Sequence, residues 1–92
     1  MTNKHQLESE IEAEIRQYAL RRGWMVLKFV SPGQTGVPDR LFIRRGRHIF
    51  LEIKKPGEEP DAKQLSKHRE MREHGAEVYW VDNLKDAMEI LK

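Results

Sequence analysis

Residues 36–55 read Gly36-Val37-Pro38-Asp39-Arg40-Leu41-Phe42-Ile43-Arg44-Arg45-Gly46-Arg47-His48-Ile49-Phe50-Leu51-Glu52-Ile53-Lys54-Lys55. Two runs rich in branched and aromatic residues, Arg40–Arg44 and His48–Lys54, flank Arg45-Gly46-Arg47, the pattern of a β-hairpin. Both runs are apolar on both faces: Leu41 and Ile43 oppose Phe42, and Ile49 and Leu51 oppose Phe50. A sheet of this kind must be covered on both sides, by helices or by a partner subunit. Side chains alternate along a strand, so Glu52 and Lys54 share one face and Ile53 points to the other. If the chain turns near Arg45-Gly46, Asp39 arrives at the same end of the sheet as Glu52.

Upstream, Leu7, Ile11, Ile15, Tyr18 and Ala19 recur at helical spacing, and Gly23 is a natural stop. This predicts a first helix from about Ser9, or slightly before, to Arg22. Trp24 to Val30 reads as a strand, and Ser31 to Pro38 breaks regular structure with two glycines and two prolines. Downstream, Lys55 to Pro60 is a loop. Asp61 looks like an N-cap, with Gln64 completing a capping box and Gly75 ending the helix. The apolar stripe of that helix is thin (Ala62, Leu65, Met71), so much of it should face solvent or a partner. Val78–Val81 is a strand. Leu84, Ala87, Met88 and Leu91 form a short closing helix capped by Asp82 or Asn83. The order is αβββαβα, an α/β fold in residues 1–92 read as one domain.

The chain of 92 residues has 38% hydrophobic and 35% charged residues and no cysteine. That excludes a disulfide framework and thiolate zinc sites. No apolar run reaches the roughly 20 residues needed to span a bilayer, and the N-terminus lacks the pattern of a signal peptide. A soluble, cytoplasmic protein is expected, with no membrane partner. The net charge of +2 hides its distribution. Residues 21–55 hold nine basic side chains against two acidic ones, or +7, whereas residues 1–20 carry −2 and residues 56–92 carry −3. A basic middle between acidic ends suggests a polyanion held at one face. The only two acids of that basic segment are Asp39 and Glu52.

Two carboxylates and an ammonium converging at one sheet end suit a hard cation such as Mg²⁺ or Mn²⁺, since unpaired carboxylates repel one another. A metal there polarises a phosphoryl oxygen and lowers the pKa of bound water. Lys54 can orient that water or neutralise charge building on phosphorus. The first helix offers further acids. At about 100° per residue, Glu8 falls within the apolar stripe and Glu12 at its edge. Glu10 points to solvent and Glu14 borders the opposite side. Glu8 and Glu12 can therefore reach inward, although glutamates near a helix N-terminus also complement its dipole.

The set Gly36-Val37-Pro38-Asp39-Arg40, Glu52-Ile53-Lys54 and Gln64 resembles the PD-(D/E)XK nuclease superfamily. Together with Lys28-Phe29-Val30-Ser31-Pro32-Gly33 it more closely resembles the virus-type replication–repair nuclease (VRR-NUC) family. The likeness runs from the first helix to Asp82. It implies a restriction-endonuclease-like core, a mixed sheet flanked by helices, and a Mg²⁺- or Mn²⁺-dependent endonuclease. By this resemblance Asp39 and Glu52 are metal ligands, with the Ile53 carbonyl and Glu12 as further ones. Lys54 is the catalytic lysine, and Gln64 sits beside the active site. Ser31 matches a family position near the site. Small stand-alone members, of phage or bacterial type, look like homodimeric Holliday-junction resolvases, and fused ones act on flaps. Branched DNA in replication, repair or recombination is the expected substrate. The alternatives are a flap or general DNA nuclease of the same fold, and a non-catalytic DNA-binding module.

A two-faced apolar sheet with three modest helices also argues for a homodimer. A two-fold pair of active sites would match a junction with two equivalent strands. Arg40, Arg44, Arg45 and Arg47, with Lys28, are the candidate phosphate contacts; each should steepen the salt dependence of binding by about one unit of slope. His5, His48, His68 and His74 show no zinc-ligand spacing. Trp24, Tyr79 and Trp80 are expected in the core.

Overall fold

The computed structural model describes residues 6–92, so His5, which shows no zinc-ligand spacing, lies outside the described residues. The elements follow the expected order: α1 (Glu8–Arg21), β1 (Met25–Lys28), β2 (Arg40–Arg44), β3 (Arg47–Ile53), α2 (Ala62–Glu73), β4 (Glu77–Val81) and α3 (Leu84–Ile90). The sheet is mixed, in the order β1-β2-β3-β4. The first three strands are antiparallel, while β4 runs parallel to β3 after the α2 crossover. This is a PD-(D/E)XK-like α/β fold.

The hairpin closes through Arg45 and Gly46, both with positive φ, 48° and 83°. Two such residues in a two-residue loop match the right-handed twist of the flanking strands. Strand β1 is shorter than the predicted Trp24–Val30. Trp24 leaves the sheet plane for the core, where it is 2% exposed and its Nε1 donates to the Leu91 carbonyl at 3.0 Å. One further hydrogen bond, from Phe29 N to the Asp39 carbonyl at 2.8 Å, extends the pairing past Lys28.

One sheet face carries Phe42, Ile49, Leu51, Ile53 and Val81, and it packs with Ile11, Ile15 and Ala19 of α1 and Ala87 of α3. The other face carries the alternate residues and is covered over β4 by α2. Only His68 of α2 is buried, in keeping with its thin apolar stripe. Helix α2 does not extend across β1, so Met25 and Leu27 stay 58% and 42% exposed. Two readings are corrected. Leu7 precedes α1 rather than belonging to its stripe and is exposed. Tyr79, expected in the core, is exposed on the edge strand β4, its hydroxyl on Glu77. Among the described residues no helix is long and apolar enough to cross a membrane.

Candidate active site

The hairpin register pairs Arg40 with Leu51, which sets Asp39 beside Glu52 at one end of the sheet. Local structure holds each one. Asp39 follows the buried Pro38, and its carbonyl is fixed by Phe29. The loop before it is seated by Gly36. A Cβ there would lie 2.7 Å from the Lys63 carbonyl oxygen, and φ is +81°, so only glycine fits on both counts. The loop thus rests directly on the first turn of α2.

Glu52 lies on the α2 face of β3 and is 3% exposed. One carboxylate oxygen, Oε2, meets Lys54 Nζ at 3.6 Å and accepts from Gln64 Nε2 at 3.2 Å. The other, Oε1, is buried with no protein partner. Burial foremost, then the nearby charge of Asp39, pushes the Glu52 carboxyl up to about 8, against the opposing pull of Lys54. Two carboxylates at one end of a sheet repel each other, and a cation between them relieves that repulsion. Lys54 is mostly enclosed and also lies 3.9 Å from Glu58. Beyond it, the loop is tied back to the end of β4 by a bond from Gly57 N to Asp82 Oδ2 at 2.9 Å.

Gln64 closes the capping box and also meets Glu52. Its side-chain oxygen accepts from Asp61 N at 3.0 Å, and its backbone N–H donates to Asp61 Oδ1 at 2.8 Å, closing the capping box. Its amide nitrogen is thereby left pointing at Glu52. Asn83, not Asp82, caps α3, by accepting from Asp86 N.

The remaining predicted residues divide. Ile53 is buried on the far face, in the core. Glu12 is ion-paired with Arg40. Glu8, by contrast, feels the site directly: burial first, then Asp39, Glu58 and Glu12, raise its carboxyl above the ordinary range while Lys54 opposes them. Arg44 and Arg47 are not brought to the site. They lie at the hairpin end, Arg44 donating to the Arg22 and Lys92 carbonyls and stacking 4.3 Å from the Trp24 ring. Arg47 forms a two-pronged pair with Glu77. Arg45 occupies the turn itself, also at that end, and His48 is exposed there. Lys28 sits beside Arg40 in the register, near the site end. Ser31 lines a groove between its loop and α2, with Phe29, Val37 and Met71. Two groups went unread as parts of the site: Glu58, which carries no sequence signal, and His68, whose spacing of four from Gln64 was available.

Among the described residues no three histidine, aspartate or glutamate side chains form a ready-made metal cage. A site built here would rest on the Asp39–Glu52 pair plus backbone and solvent oxygens. The unpartnered Glu52 Oε1 beside Asp39 fits a hard divalent ion.

The fold and the P-D…E-x-K arrangement at one sheet end define a nuclease-type α/β protein of the PD-(D/E)XK class. No protein-family model matches the chain. Over 77 residues it is 40% identical to "Putative nuclease p44" of Acyrthosiphon pisum secondary endosymbiont phage 1, covering 83% of each. A solved structure described as a VRR_NUC domain superposes with a TM-score of 0.82 at 29% identity, over 90% of this chain and 91% of that one. A second, described as a VRR_NUC domain protein, gives 0.78 at 16% identity, over 92% and 84%, and speaks for the fold alone. The chain belongs to the VRR-NUC family.

Proposed function

We propose that this protein is a metal-dependent DNA endonuclease, a phosphodiester hydrolase selective for DNA structure, with branched DNA such as the Holliday junction as substrate. The observation that carries the reading is the half-buried Asp39 beside the buried Glu52, with Lys54 and Gln64 both on Glu52. Resemblance to a phage protein whose name states a nuclease supports it. Asp39 and Glu52 would hold Mg²⁺ or Mn²⁺, with the Ile53 carbonyl and a glutamate of α1. Glu12 is favoured by family resemblance and Glu8 by its nearness to the charges of Asp39 and Lys54. When bound, the ion supplies Lewis-acid activation of the phosphodiester and its attacking water.

The protein groups do the rest. Lys54, held near Glu52 and Glu58, brings a positive charge to the oxygens on which charge grows as water adds to phosphorus. Gln64 keeps the Glu52 carboxylate in one rotamer. Recognition by this domain would rest on backbone charge and DNA shape. Of the predicted phosphate contacts, Lys28 and Arg45 have no side-chain partner among the described residues, whereas Arg40, Arg44 and Arg47 are committed internally. A homodimer would bring two such sites to the two equivalent strands of a junction.

The test is cleavage of labelled four-way junction, flap and linear duplex DNA with Mn²⁺ or Mg²⁺, for the wild type and Glu52→Ala, with an EDTA control. Cutting of the junction by the wild type alone is expected. Flap cutting would keep the chemistry and remove the symmetry argument. Tight, salt-sensitive binding with no cutting would replace the enzyme by a non-catalytic DNA-binding module.

A further inference from the structure

Among the described residues, buried side-chain polar atoms without a protein partner occur on Glu52 and on His68, the latter through both ring nitrogens. His68 is 0% exposed. At an enclosed helical position an apolar side chain would satisfy packing, whereas an imidazole leaves two polar atoms desolvated. Its place is informative. It stands one helical turn after Gln64, on the same side of α2, and Gln64 donates to Glu52. The loop that carries Asp39 is seated on that first turn through Gly36. The charges of both Asp39 and Lys54 act on the ring. Burial, helped by Arg72, pushes the imidazole below its ordinary range. A neutral imidazole has one N–H to donate and one lone pair to accept.

We propose that His68 is a positioning residue for the Asp39–Glu52 pair: its buried ring, through one internal water, holds the Asp39 carboxylate in a single orientation. The proposal rests on the reading of that pair as the catalytic site. His68 is sealed from substrate, so its effect runs through Asp39. An internal water needs two to four polar partners, and the imidazole, Asp39 and the free Glu52 Oε1 are of the right kind. Outer partners of this sort typically set the affinity of metal-binding carboxylates within about 10–100-fold.

The experiment compares the wild type, Glu52→Gln, His68→Leu and His68→Gln by three readouts. These are the thermal midpoint of the metal-free protein, Mn²⁺ affinity by calorimetry, and cleavage of labelled junction and duplex DNA. The metal-free midpoint checks that His68→Leu is folded. In the same variant Mn²⁺ affinity should fall by about 10–100-fold, with kcat reduced and KM for DNA unchanged. His68→Gln, which can again hold a water, should recover most of the affinity. Wild-type Mn²⁺ affinity and cleavage in His68→Leu would overturn the role of His68 alone, provided Glu52→Gln loses both. A wild type that neither binds Mn²⁺ nor cuts would overturn the nuclease reading, and the role of His68 with it. If His68→Leu does not fold, His68→Gln and His68→Met decide: tighter Mn²⁺ binding by the glutamine supports the proposal, and equal binding overturns it.

Discussion

Glu52 is stabilised in its protonated form when no cation is present, because burial and Asp39 raise its carboxyl to about 8 from an ordinary 4.5. The folded protein then holds a proton that the unfolded chain releases over that interval. The sign follows from linkage: this contribution is fully present below about pH 4.5 and is lost as pH rises through about 8. In EDTA, the thermal midpoint of the wild type should fall between pH 5 and pH 8. Glu52→Gln should flatten that dependence, and Mn²⁺ should relieve it in the wild type only. Gly36 supplies a second prediction at this scale. Gly36→Ala forces a side chain into left-handed backbone, at about 1–2 kcal/mol, and brings its Cβ against the Lys63 carbonyl. The urea midpoint should drop accordingly. Cleavage should drop further than stability, since the strain falls on the loop that aims Asp39.

Among the elements, the hairpin and α2 divide the work. The hairpin turn pins the register that brings Asp39 to Glu52, and the cap of α2 aims Gln64 at Glu52 with the same amide that closes the helix. At the hairpin end, Arg44 and Arg47 are held by partners within the chain. Arg44 bonds two carbonyls from distant parts of the chain and covers Trp24. Arg44→Ala should therefore destabilise the fold by about 1–3 kcal/mol while leaving the salt dependence of DNA binding unchanged. Lys28→Ala should do the reverse, with wild-type stability and a salt slope shallower by about 0.9. Binding titrations from low to moderate salt, beside urea unfolding, separate the two.

For the molecule as a whole, coverage of the sheet is the deciding quantity. Helices α1 and α3 close one face, and α2 covers the other over β4 and the end of β3 but not over β1. Met25, Leu27 and Val30 consequently present apolar side chains to solvent around β1. The proposed homodimer draws support from this exposed apolar surface, of a kind that marks interaction sites. Sedimentation at micromolar concentration should show a two-protomer species, and a strict monomer would remove the two-site model of junction cleavage.

What could be read directly from the chain was local. The hairpin follows from Arg45-Gly46 between alternating runs, the cap from Asp61 and Gln64, and the helix stops from Gly23 and Gly75, because each depends on neighbours within a few positions. The alternation that sets Glu52 and Lys54 on one face is equally local, and with the hairpin it brings Asp39 to the pair. Other features needed the chain to be folded. Arg40 takes Glu12 from 28 positions away, and Trp24 finds its carbonyl 67 positions on at Leu91. The burial of His68, the effect of the Asp39 charge on Glu8 and the engagement of Arg44 and Arg47 by partners within the chain are of the same kind. Periodicity assigns a residue to a face, but burial and the nearest charge depend on which distant segment packs against it, and these set whether an acid, a histidine or an arginine is free to act.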